Sequence, residues 1–79
     1  MSLEFTVKRT EDDIYAFLDR LDEMFPDSNV PQKIVVRVGD LTVRTETPGD
    51  LMIPLFRIAG NLFAERIHLP RRFDLTEFE

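Results

Sequence analysis

The side chains that could do chemistry in this chain are few, and they do not gather into a motif. His68 is the only histidine. No serine or threonine stands near it in a spacing that would pair a hydroxyl nucleophile with an imidazole base and an orienting acid. Its setting reads as a strand or rim position. Carboxylates that could hold a metal ion along the first helix are Asp12, Asp19, Asp22 and Glu23. They recur at helical spacing and lack the glycine-centred loop that wraps a calcium ion, so they read as a solvated acidic face. The chain has no cysteine, which removes disulfides and thiolate metal sites. Arg71-Arg72 is the one basic pair near the end and reads as solvated. No catalytic residue, metal ligand or cofactor can be named from these types and spacings.

Charge placement excludes a second class of function. Residues 1–30 carry eight acids (Glu4, Glu11, Asp12, Asp13, Asp19, Asp22, Glu23 and Asp27) against Lys8, Arg9 and Arg20. The whole formal charge of −5 therefore resides there, and the remaining 49 residues balance at seven acids and seven bases. A phosphate backbone would be repelled by the first part and not attracted by the rest, which argues against direct nucleic-acid binding. With 43% hydrophobic and 32% charged residues, the composition is that of a globular domain. Seventy-nine residues make one small domain, residues 1–79, which buries only about 60% of its unfolded surface. The opening "MSLEFTVKRTEDD" lacks a signal-peptide apolar core, and no apolar run approaches the roughly 20 residues of a membrane span. A cytoplasmic location is the expectation.

The elements that must position any working surface are easier to read. Leu3, Phe5 and Val7 alternate with Glu4, Thr6 and Lys8, the pattern of a half-buried strand. Thr10 stands three residues before Asp13, a variant of the capping box. After it Ile14, Phe17, Leu18, Leu21, Met24 and Phe25 recur at steps of three and four and form a stripe about 120° wide. Pro26 and the polar residues after it stop that helix.

The stretch "KIVVRVGDLTVRTETPGD" reads as a hairpin about Gly39-Asp40. A two-residue turn there pairs Val38 with Leu41, Val36 with Val43 and Ile34 with Thr45 on one face. The other face receives Arg37 with Thr42, Val35 with Arg44, and Lys33 opposite Glu46. Both faces sort in one register, and a one-residue slip would scramble both. Glycine first in the turn suits type II′. Thr47-Pro48-Gly49-Asp50 has the residue order of a type II turn. A second helix is expected from Pro54 to about Glu65, with Leu51 to Ile53 as an irregular lead-in. A last strand is expected near Ile67, broken by Pro70.

The order β-α-β-β-α-β with both helices on one face of an antiparallel sheet is the α+β, ferredoxin-like arrangement, with the first strand beside the third. The alternative is a βαββα meander with residues 70–79 as an extended tail. Known users of the first topology do not match on residues. RNA-recognition domains stack bases on aromatics of the open sheet face, where this chain would show Thr42, Arg44 and Glu46. Metal chaperones of this shape need paired cysteines. Acylphosphatase-like enzymes need a glycine-rich anion loop after the first strand, where this chain has the acidic "KRTEDD".

Two surfaces exceed what such a fold needs. On the wheel of the first helix, Glu11, Asp12, Asp19, Asp22 and Glu23 span from about 60° to about 180° from Ile14, with Tyr15 near 100° in their midst. An acidic face centred on an exposed tyrosine could steer and anchor a partner protein with a basic surface. On the second helix the apolar arc from Ile58 to Phe56 is roughly 180° wide. Met52, Phe56 and Phe63 at its margin would then form an exposed patch, unless Phe73, Leu75 and Phe78 cover them. The expected function is a non-enzymatic, small acidic protein-interaction domain that binds and inhibits or neutralises a partner, as immunity proteins, antitoxins and phage inhibitors do. The alternative is a small-molecule-sensing or regulatory domain that forms a homodimer through its sheet, for which a deep pocket lined by Arg37 and Arg44 would speak.

Overall fold

The structure, a computed structural model, describes residues 1–79. It contains strand β1 (Leu3–Val7), helix α1 (Glu11–Met24), strands β2 (Ile34–Val38) and β3 (Leu41–Thr45), and helix α2 (Met52–Arg66). Short 3-10 turns at Pro48–Leu51 and Thr76–Phe78 complete it. The class is α+β, with two helices and a three-stranded sheet.

The hairpin forms in the register its side chains demand. Ile34 pairs with Thr45, Val36 with Val43 and Val38 with Leu41. Ile34, Val36, Val38 and Val43 are fully buried, while Arg37 and Arg44 project to the exposed face. Gly39 has φ +59° and Asp40 does not enter the positive-φ region, the pattern of a type II′ turn. A Cβ on Gly39 would also lie 3.2 Å from the side chain of Arg9, which crosses the turn.

The sheet differs from the ferredoxin-like expectation in pairing direction, strand order and strand number. Its order is β1-β2-β3, with β1 parallel to β2 and β2 antiparallel to β3. The sheet is mixed, and the first strand lies beside the second and not the third. Strand composition explains the order. β2 reads "IVVRV" and carries an apolar residue, Val35, on the open face, where β1 and β3 carry Glu4, Thr6, Thr42 and Arg44. The strand with the most apolar residues, including one on the open face, takes the centre. Arg37 then reaches Glu4 on the neighbouring β1, with Nη1 to Oε1 at 2.7 Å.

The expected fourth strand is absent, which leaves the βαββα order with a C-terminal segment. Helix α2 ends in a Schellman motif: the Leu69 N–H donates to the Ala64 carbonyl at 2.8 Å and the His68 N–H to the Glu65 carbonyl at 3.2 Å. His68 takes the left-handed position with φ 61°, so it is a helix-terminus residue and not a strand residue. Pro70, lacking an N–H, follows. The chain then returns along α2 and is held by a side chain in place of a sheet edge. Asn61, 7% exposed, donates from Nδ2 to the Phe73 carbonyl at 2.8 Å. Its Oδ1 accepts from the N–H groups of Arg72 at 3.1 Å and Phe73 at 2.9 Å. The Phe73 ring rests on Gly60, where a Cβ would come within 2.9 Å of it. Beyond this clamp Leu75 is buried in the core at 2% exposure. The Asp74 carboxylate accepts from the Thr76 N–H at 3.0 Å, which holds its carboxyl below the usual range.

One threonine caps α1 and another caps the 3-10 turn that leads into α2. The Thr10 hydroxyl accepts from the Asp13 N–H at 3.2 Å and donates to the Asp13 carboxylate, so the reciprocal bond of a capping box goes to the hydroxyl and not to the cap amide. At Thr47–Asp50 the type II turn does not form, because Gly49 is not in the positive-φ region such a turn requires. Thr47 caps a 3-10 turn with Pro48 in its first turn. That turn buries Pro48 and Leu51 and starts α2 at Met52. Pro54 becomes the third helical residue, where no intrahelical N–H bond is lost.

The two left-handed positions should respond with opposite signs. Gly39→Val forces a β-branched residue into a strained turn and should destabilise by about 1–3 kcal/mol. His68→Gly relieves strain and should stabilise by roughly 0.5–1 kcal/mol after the added freedom of the unfolded chain. Urea denaturation measures both. Asn61→Ala removes three bonds to the returning chain and should cost about 1–3 kcal/mol. Asn61→Asp should also destabilise, because it has no donor for the Phe73 carbonyl. Limited proteolysis should show earlier cleavage within residues 69–79 for both Asn61 variants; unchanged protection would mean Asn61 does not hold the segment.

Candidate functional site

The apolar face of the sheet is covered by α1, α2 and Leu75, so the surfaces left to meet a ligand are the open sheet face and the outside of the helix layer. The two helices run antiparallel. At one end Arg66, in the last turn of α2, donates from Nε to Glu11 in the first turn of α1 at 2.9 Å. At the other end Asp22 and Met52 line one small crevice with Leu18, Leu21, Phe25 and Pro48.

These contacts sort the acidic face of α1 into two rows. Glu11, Tyr15, Leu18 and Asp22 follow at steps of three and four and form the flank turned to α2. Asp12, Asp19 and Glu23 lie on the adjoining outward flank, and all three are exposed. Tyr15 is 44% exposed, and its ring leans across the helix boundary to Phe56 of α2, with centroids 6.2 Å apart at 51°. That is a tilted aromatic pair at the surface. Met52, Phe56 and Phe63 are 44%, 46% and 41% exposed.

The C-terminal segment does not cover them. Leu75 enters the core, Phe78 packs against the core and Phe73 sits on Gly60. The structure thus brings the acidic tyrosine face and the apolar patch into one continuous surface. The juxtaposition of Tyr15 with Phe56 was not foreseen from the sequence; the signal was present in the shared helical flank of Glu11, Tyr15, Leu18 and Asp22.

One end of this surface is chemically distinct. The Arg66 guanidinium lies over the Phe63 ring, 5.0 Å from its centroid, while it is bonded to Glu11. The hydrogen bond and charge of Glu11 raise its pKa beyond the ordinary value. Beside it is a polar hollow of about 700 Å³ lined by Thr10, Glu11, Asp12, Leu62, Glu65, Arg66 and His68. The Thr10 hydroxyl there is committed to the helix cap, and no hydrogen bond joins it to His68.

The open sheet face offers less. Arg37 is paired with Glu4, and neither Arg37 nor Arg44 lines the polar hollow beside Arg66 or the crevice at Met52. No three His, Asp or Glu side chains gather in a metal-binding arrangement, and no helix is long and apolar enough to cross a membrane. No family model, curated protein or solved structure significantly matches this chain.

If the strip is surplus to the fold, its removal should be nearly neutral for stability. Phe56→Ser and Met52→Ser should each change unfolding free energy by less than about 1 kcal/mol, in contrast to buried Leu55→Ala at about 2–5 kcal/mol. A loss at Phe56 comparable to that at Leu55 would make Phe56 part of the core.

Proposed function

We propose that this chain is a non-enzymatic protein-interaction domain that binds a partner through the outer surface of its helix layer and neutralises it by occupying the surface it engages. The observation that carries the reading is the Tyr15–Phe56 pair. Two aromatic rings from different helices meet at 6.2 Å while each stays more than two-fifths exposed. An aromatic centre is what protein interfaces concentrate and what isolated surfaces seldom keep uncovered. Met52 and Phe63 extend it along α2. Asp12, Asp19 and Glu23 supply a charged margin, with Asp22 beside Met52. The parts divide the work: exposed carboxylates steer encounter, and the aromatic pair slows departure.

Kinetics on a partner recovered by affinity capture from the source cell separate these roles. Asp19→Lys and Asp22→Lys should slow association by about tenfold at low salt, and added salt should reproduce the effect on the parent. Tyr15→Ala and Phe56→Ala should leave association alone and speed dissociation by about tenfold or more. Far-UV circular dichroism and melting temperature serve as controls for folding. Should all four variants bind like the parent at both salt concentrations, the helix-layer surface is not the interface.

A further inference from the structure

We infer that the partner element seated on this surface is a basic amphipathic helix. The inference rests on the interaction reading above and specifies the chemistry of its partner. On α2, Met52, Phe56 and Phe63 stand at positions i, i+4 and i+11. On α1, Asp12, Asp19 and Glu23 stand at i, i+7 and i+11. At 1.5 Å rise per residue each row runs about 16 Å, or three turns. The helices are antiparallel and tied at both ends, by the Arg66–Glu11 bond and by the crevice of Asp22 and Met52. The two rows therefore lie side by side over the same length, with Tyr15 and Phe56 in contact between them.

A ligand that satisfies both rows must present an apolar edge and a cationic edge next to each other for about three turns. A single helix does this from one continuous segment, with apolar residues at i, i+4, i+7 and i+11 and Lys or Arg on the adjoining flank. An extended strand cannot, because its successive side chains point to opposite faces. Charge decides among the other occupants. A second copy would bring another −5 against the acidic row, and anionic lipid or nucleic acid would meet the same repulsion.

The test uses the isotope-labelled full chain and three synthetic peptides of about four turns. One has Leu and Lys in amphipathic helical order, one has the same residues shuffled to abolish the apolar face, and one has Leu and Glu in the helical order. The helical Leu/Lys peptide should gain helicity on mixing and shift the amides of Tyr15, Asp19, Met52, Phe56 and Phe63. It should bind about tenfold or more tightly than the shuffled peptide, and the Leu/Glu peptide should not bind. The double variant Tyr15→Ser, Phe56→Ser should lose that preference while keeping the parent's far-UV circular dichroism and a cooperative melt. Equal binding of the shuffled peptide overturns the inference, as do shifts centred on the open sheet face or a dimer of the chain itself that protects Phe56. A captured partner that needs Tyr15 and Phe56 but contacts them through a non-helical segment also overturns it, while leaving the interaction reading intact. A partner indifferent to both residues removes that reading as well.

Discussion

The register of the Gly39–Asp40 hairpin decides which face of the sheet is apolar, and every other element is placed by that face. With Ile34, Val36, Val38, Leu41 and Val43 all on one side, the sheet needs a single covering layer. Two helices supply it: α1 brings Ile14, Phe17, Leu18 and Leu21, and α2 brings Leu55, Ile58 and Ala59. The opposite face, with Glu4, Thr6, Arg37, Thr42 and Arg44, is compatible with water and is held in part by the Arg37–Glu4 bond. A shift of one residue in the hairpin would turn the arginines inward and leave the helices nothing to pack on.

Three strands and two helices do not by themselves close this core, and the C-terminal segment finishes it. Leu75 is among the most buried side chains although it belongs to no regular strand or long helix. Its placement depends on Asn61, whose amide satisfies both a carbonyl and two N–H groups of the returning chain. A polar side chain thus does the pairing that a fourth strand would have obtained from a sheet edge. For a domain of this size, where the buried fraction is small, one such residue has unusual leverage. It also explains why Gly60 precedes it: the helix must be bare where Phe73 lies against it.

Much of this was legible in the chain and some was not, for definable reasons. Alternation in β1, three-and-four spacing in α1 and the two-faced hairpin are local patterns, and each element appears where its pattern lies. The first turn of α2 is not legible locally, because Pro48 and Pro54 can each open a helix and the choice between them depends on burial of Pro48 and Leu51, a tertiary fact. Strand order is open in the sequence because the crossover rule allows β1 on either side of the hairpin; the apolar pair Val35-Val36 is the available clue to a central β2. The last segment departs from expectation because Ile67 and the residues after it resemble a strand locally. Asn61, which overrides that resemblance, looks in sequence like an interruption of an apolar helix. For the candidate surface, the wheel identified the exposed members of each helix but not that Tyr15 and Phe56 meet, since contact between helices depends on their relative rotation.

That contact also bears on why the margin of α2 is apolar beside the acidic flank of α1. A solubilising surface would place charges at the margin of α2 as it does on α1, and Arg57 shows that this helix accepts a cation, paired at 4.0 Å with Glu77. Met52, Phe56 and Phe63 instead stay apolar at positions where no core atom needs them. Each nonetheless leaves more than two-fifths of its surface in water. The acidic row beside them would repel a second copy of the chain and favour opposite charge in anything that binds there, as the proposed reading requires. In the proposed reading an apolar strip and a like-charged row along one edge divide the work, with adhesion supplied by the rings and the choice of partner by the carboxylates.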